Sequence, residues 1–301
     1  MISLSISFMK RTLRLVSAGL LLVVGFASPA FAQTPVTTSK PTDLSQLLAA
    51  VRDKATTLEA NSTMRTGFAS FASMHKLPPG SIRYSDYVLV RLLFEATRDA
   101  GFWNMHWSIT DQPPNSDRIW AQWKSVARPS FVQQTATAEC DELSALFAFL
   151  AQRSGVKGVG LFWPYPNHTV AVWTVHPPNA QPVRVVIPTS QIFLTEDDTF
   201  DTKKFDPWRQ KTIYDYTRRD VPDSFELPKP LFDLFLAQLD KYSGASSSAL
   251  QQLRSLRDAV FQKTLTPEQA AREALRRRAA FSSSPEDLAA FQHFADDLRK
   301  P

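Results

Sequence analysis

One cysteine among 301 residues leaves no partner for an internal disulfide, so a small fold held by crosslinks is excluded. The same scarcity removes zinc sites built on paired cysteines, and His75, His106, His176 and His293 show no ligand spacing with Cys140. Charge of one sign is also missing. With 34 Lys and Arg against 29 Asp and Glu, scattered along the chain, nothing suggests a nucleic-acid partner. Long apolar runs are absent as well: Leu15 to Phe26 is too short for a convincing membrane span. The acidic cluster Glu196-Asp197-Asp198 with Asp201 lacks the alternating spacing and glycine of a calcium loop and reads as a solvated turn.

What is present begins with an export signal. Lys10-Arg11-Thr12-Leu13-Arg14 precedes the apolar run, and Ala30-Phe31-Ala32 supplies a small-x-small cleavage pattern, so residues 1–32 are expected to be removed. No cysteine stands at the cleavage point, which argues against a lipoprotein. The expected location is the periplasm or the extracellular space, with no transmembrane span after cleavage. Loss of the three basic residues of that segment brings the net charge from +5 to +2. Residues 33–42 read as a flexible tether.

The most informative stretch runs from Thr135 to Gln191. Leu143, Leu146, Phe147 and Leu150 recur at helical spacing and Gly155 stands where a left-handed cap is expected, so Cys140 opens a helix. Unpaired N–H groups at a helix start favour negative charge and can lower a thiol pKa. Glu139, Asp141 and Glu142 oppose a thiolate, which makes a histidine partner more important. Cys140 also shares the inward face of the helix, a placement that suits a small core hydrophobe equally well.

Three β-type runs follow, Val156 to Trp163, Thr169 to Val175 and Val183 to Ile187, with Pro177 to Pro182 as a hairpin loop between the last two. His168 opens the second. Alternation puts His168, Val170, Val172 and Thr174 on one face and Thr169, Ala171, Trp173 and Val175 on the other. The expectation is one helix on a three-stranded antiparallel sheet, with thiol and imidazole able to meet if the helix start and strand start coincide.

The order Ala138-Glu139-Cys140, a helix, Arg153-Ser154-Gly155, and then His168 with Trp173 resembles the transglutaminase-like superfamily of papain-type cysteine enzymes. It covers roughly 55 residues. The resemblance implies an α+β papain-like core in which Cys140 is the nucleophile and His168 its base. Gln134, six residues before the cysteine, resembles the glutamine of the oxyanion hole in papain-like proteases; an ordinary loop glutamine is the competing reading. Where the family carries Asp-Pro, this chain reads Ile187-Pro188, so the carboxylate that orients the histidine is missing. Thr189 and Gln191 are the nearest candidate acceptors, since an amide can fill that role in papain-type enzymes.

Helices are expected at 44–58, 63–74, 84–100 and from Ser116 or Asp117 to Val126, with the aromatic cluster Phe102 to Trp107 as a cleft wall or a buried patch. Residues 43–227 then form the core. Residues 228–301 read as helical, with Thr266-Pro267 and Ser284-Pro285 as helix starts and Arg276-Arg277-Arg278 as a solvated face. The implied activity is exported hydrolysis or acyl transfer at a peptide, protein or cell-wall amide through a thioester, with no metal or organic cofactor. The alternatives are a non-catalytic binding or assembly module that keeps the fold, and an envelope scaffold acting through its helical tail.

Overall fold

The computed structural model describes residues 42–110, 112–165, 168–190, 212–280 and 284–300. The signal segment, the acidic cluster around Asp198 and Gln191 all lie outside the described residues.

A short strand β1 (Thr42–Asp43) leads into α1 (Leu44–Leu58). The Asp43 carboxylate accepts the Gln46 N–H at 2.9 Å and the Gln46 side chain accepts the Asp43 N–H at 3.2 Å, closing a capping box. Leu44, Leu47, Leu48, Val51, Ala55 and Leu58 form its buried stripe. Helix α2 (Ser62–Met74) is capped by Asn61, whose side chain accepts the Met64 N–H. Helix α3 (Tyr84–Thr97) ends three residues before Ala100, the expected last residue. Arg98 already leaves helical geometry with a ψ of 165°, and Ala100 follows with a left-handed φ of 50°.

Strand β2 (Met105–Trp107) follows, then α4 (Arg118–Lys124) and β3 (Ala136–Ala138), which pairs in parallel with β2. The aromatic cluster after α3 is partly buried patch: Trp103 is 1% exposed and stacks on Phe235 at 4.7 Å. Strand β3 runs directly into α5 (Cys140–Arg153), and Gly155 takes the left-handed φ of 98° expected after it.

Strands β4 (Val159–Tyr165), β5 (His168–Val175), β6 (Val183–Ile187) and β7 (Tyr214–Asp215) make a sheet in the order β6-β5-β4-β7. All its pairings are antiparallel, and β7 adds a fourth strand to the three expected. Val159, Leu161, Ala171, Trp173, Val175, Val185 and Ile187 join the main core with Leu143, Phe147 and Leu150 of α5. Phe162, Val170, Val172 and Val186 form a separate small cluster, so the two faces separate as alternation along the strand requires.

Strand β8 (Glu226–Leu227) pairs with β1, and α6 (Lys229–Tyr242), α7 (Ser247–Phe261), α8 (Pro267–Ala280) and α9 (Pro285–Arg299) complete the chain. Their buried Phe235, Leu239, Leu253, Phe291 and Phe294 belong to the same hydrophobic cluster as α1, α3 and α5. The described architecture is mixed α+β, and the last four helices are continuous with its core. Among the described residues no helix is long and apolar enough to cross a membrane.

Candidate active site

Glu139, in extended conformation, turns the chain from β3 into α5 and leaves Cys140 as the first helical residue. Its N–H donates to the Glu142 carboxylate at 2.9 Å, and its own carboxylate accepts the Thr110 N–H at 2.6 Å together with the Thr110 hydroxyl. Glu142 is buried and paired with Arg118 at 2.8 Å. Two of the three carboxylates flanking the cysteine are thus held by specific partners. The third, Asp141, is half-buried; burial raises its carboxyl, against the first-turn N–H groups of Asp141 and Glu142 that bond it.

The thiol faces the start of β5. Thr169 donates its N–H to Cys140 Sγ at 3.5 Å, while Ser144, one turn further along α5, donates its hydroxyl to the Thr169 carbonyl at 3.2 Å. Cys140 and Ser144 therefore grip the two backbone polar groups of one strand residue. The Ser144 hydroxyl also meets the Thr189 hydroxyl at 2.9 Å, which ties in the chain just beyond β6. Helix start, β5 start and β6 end converge here, and the thiol lies against the peptide bond that joins His168 to Thr169.

Cys140 is 7% exposed and His168 3%. Burial pushes the Cys140 thiol above its ordinary range; the Thr169 N–H pulls it back, and Asp141 and Glu139 add to the rise. Burial likewise lowers the His168 imidazole below its usual value. Desolvation outweighs the helix start, so the thiol lies above its ordinary range although the first-turn N–H groups alone would lower it. Both shifts favour the uncharged thiol and imidazole over a thiolate and an imidazolium.

No family model matches this sequence, and the chain has no match among curated proteins or solved structures. The residues alone carry the functional reading.

The other sequence candidates fall differently. Gln134 donates its amide to the Ala136 carbonyl at 3.1 Å and to the Thr137 hydroxyl, so both donors are engaged on β3. Gln191 lies outside the described residues. Ile187 pairs with Ala171, three residues along β5 from His168, and its side chain belongs to the core. The ladder ends at Ile187, where the Thr189 N–H turns back to the Ile187 carbonyl at 3.0 Å, so Ile187 is not paired with the histidine. The β4 ladder also shifts by one residue between Phe162 and Tyr165, beside the His168 end of β5; bulges of this kind re-aim side chains near active sites.

Ser144 and Thr169 carried no weight in the sequence reading. One signal was there: Ser144 is the sole hydroxyl between Leu143 and Ala151, four residues from Cys140 and hence on its face. An open groove of about 720 Å³ lies at the far end of the sheet, among Gln152, Thr174, His176 and Arg184, away from the thiol. Among the described residues no group of three or more His, Cys, Asp or Glu is arranged to hold a metal.

Proposed function

We propose that this chain is an exported cysteine enzyme of transglutaminase-like, papain-like design, acting on a peptide, protein or cell-wall amide. The observation that supports it is the grip of Cys140 and Ser144 on Thr169, which sets a helix-start thiol against the peptide that follows a histidine. In this reading the Cys140 sulfur bonds to the amide carbonyl carbon while the His168 imidazole takes the thiol proton. The imidazolium gives that proton to the departing amine nitrogen as the carbon–nitrogen bond breaks, leaving a thioester. Water or a second amine then attacks the thioester and returns a proton to sulfur. Because the pair rests uncharged, proton transfer accompanies sulfur attack and the histidine acts as a general base.

The test is the pH dependence of thiol alkylation on the folded mature protein, wild type against His168→Ala. General-base help is expected to make the wild type react near pH 7 about 100-fold faster than the variant. A rate that follows only the titration of the thiol and ignores His168 would sink the reading.

The low exposure of both residues favours a second reading, a binding or assembly module that keeps the fold without chemistry. Cys140→Ser leaves the biological activity intact in that case and abolishes it in the first.

A further inference from the structure

The loop between α3 and β2 is held in an unusual shape. Ala100 and Asn104 both adopt left-handed backbone, with φ of 50° and 52°, although neither is glycine. Between them Gly101 packs so closely that a Cβ would lie 2.5 Å from the Glu95 carbonyl oxygen. Strained segments of this kind persist only where their surroundings over-determine them, and they cluster at functional sites.

Much of that determination comes from the C-terminal helices. Arg257 of α7 is 5% exposed, and its guanidinium donates to the carbonyls of Ala100 and, at 2.6 Å, of Gly101. The guanidinium also lies 5.4 Å from the Phe131 ring. Among the described residues it forms no ion pair with a carboxylate; its charge is directed at a loop backbone. Arg254, one turn earlier, pairs with the buried Glu95 at 2.8 Å and fixes the end of α3.

From this loop an unbroken set of contacts reaches the thiol. The Asp99 N–H donates to the Thr189 carbonyl at 2.7 Å. The Thr189 hydroxyl meets Ser144 at 2.9 Å, Ser144 holds the Thr169 carbonyl, and the Thr169 N–H reaches Cys140 Sγ. We propose that Arg257 is a positioning residue for Cys140: by fixing the strained loop it holds Thr189 against Ser144, and so keeps the Thr169 N–H on the sulfur. The inference deepens the acyl-transfer reading, on which it rests, by making the C-terminal helices a support and a point of control for that site. Anything that moves α7 then changes the thiol.

The measurement is the midpoint of the alkylation pH profile in the folded full-length protein, for wild type, Arg257→Met, Arg257→Lys and Leu239→Ala. Leu239 is buried on α6 and belongs to none of the hydrogen bonds or ion pairs above, so its truncation controls for lost stability. Loss of the Thr169 N–H leaves burial opposed only by the Asp141 N–H, and the Arg257→Met midpoint is expected to rise by roughly 0.4 to 1.5 pH units. Arg257→Lys, which keeps a donor and the charge, is expected to show a smaller rise of the same sign. Leu239→Ala is expected to leave the midpoint in place despite a lower Tm. An unchanged midpoint in Arg257→Met, or an equal shift in Leu239→Ala, overturns the proposal. If Arg257→Met does not fold, Arg257→Lys decides it, and an unchanged midpoint there overturns it. His168→Ala run in parallel keeps the two readings apart. Loss of the histidine effect with the Arg257 shift retained removes acyl transfer and keeps the positioning; the converse removes the positioning alone.

Discussion

Thr189 stands between two buried polar clusters that are built in opposite ways. On its hydroxyl side, Cys140, Ser144 and Thr169 form a network of uncharged groups satisfied largely by backbone. On its carbonyl side, beyond Asp99, buried charges prevail: Glu95 with Arg254 and Arg98, and Arg257 on its two carbonyls. The contrast separates two tasks. Breaking a hydrogen bond between neutral groups costs less than stranding a buried ion, so the ion cluster suits a fixed support and the uncharged network is the part that can rearrange.

The largest expected effect breaks the charged side. Burial pushes the Glu95 carboxyl up, but the guanidinium groups of Arg254, Arg98 and Arg91 overcome it and hold the group below the usual carboxylate range. Glu95→Ala would leave these cations without their buried counter-charge, at a cost of roughly 3–5 kcal/mol in denaturant unfolding. A loss below about 1 kcal/mol, the scale of an exposed ion pair, would show that this cluster is no rigid support.

Next comes acid. His106 stacks on Phe261 at 4.5 Å, and burial, aided by the Arg257 charge, lowers its imidazole to about 4. The ring is neutral in the fold and gains a proton on unfolding, so acid favours the unfolded chain. Its contribution to stability is full above the unfolded value of about 6.5 and is lost as pH falls towards 4, in total roughly 3 kcal/mol. Unfolding of wild type and His106→Gln from pH 7 to 4 checks this. The two stability curves are expected to converge as pH falls, and parallel curves would mean that His106 protonates as readily in the fold as outside it.

The two clusters also differ in how far the sequence reveals them. The Cys140 side lies within one local stretch, so the cysteine-bearing helix, its glycine cap and the three longer strands could be read from periodicity. Helix starts with local chemistry were equally legible: the Ser284 hydroxyl accepts the Asp287 N–H and that of Thr266 accepts the Gln269 N–H. The Arg257 side joins residues more than 150 positions apart, and no spacing rule connects an arginine to a distant carbonyl. A similar distance hid the β1–β8 pair, and these strands, like β7, are two residues long and too short for an alternating pattern. The end of α3 was misplaced because Val88, Leu92, Leu93 and Ala96 continue a helical stripe up to a turn fixed from elsewhere. The rise of the thiol pKa is illegible for a related reason: a helix start is visible in sequence, but the burial that outweighs it is a property of the assembled fold.

The smallest expected effect tests the uncharged side. Ser144 is fully buried, and Ser144→Ala removes its bonds to the Thr169 carbonyl and the Thr189 hydroxyl. A net hydrogen bond contributes roughly 0.5–1.5 kcal/mol, and the better helix propensity of alanine offsets a few tenths of that. The expected net loss is about 1 kcal/mol, seen as a fall in Tm of about 2–4 °C for a chain of this size. The thiol should respond more than the stability does. With Thr169 no longer gripped from two sides, its N–H is less firmly held on sulfur, so the midpoint of Cys140 alkylation is expected to rise as it does in Arg257→Met. A fall in stability as large as that of Glu95→Ala would make both clusters equally structural and erase the division of tasks. A small fall with a shifted midpoint would sharpen it, because one hydroxyl would then govern the thiol while contributing little to the fold.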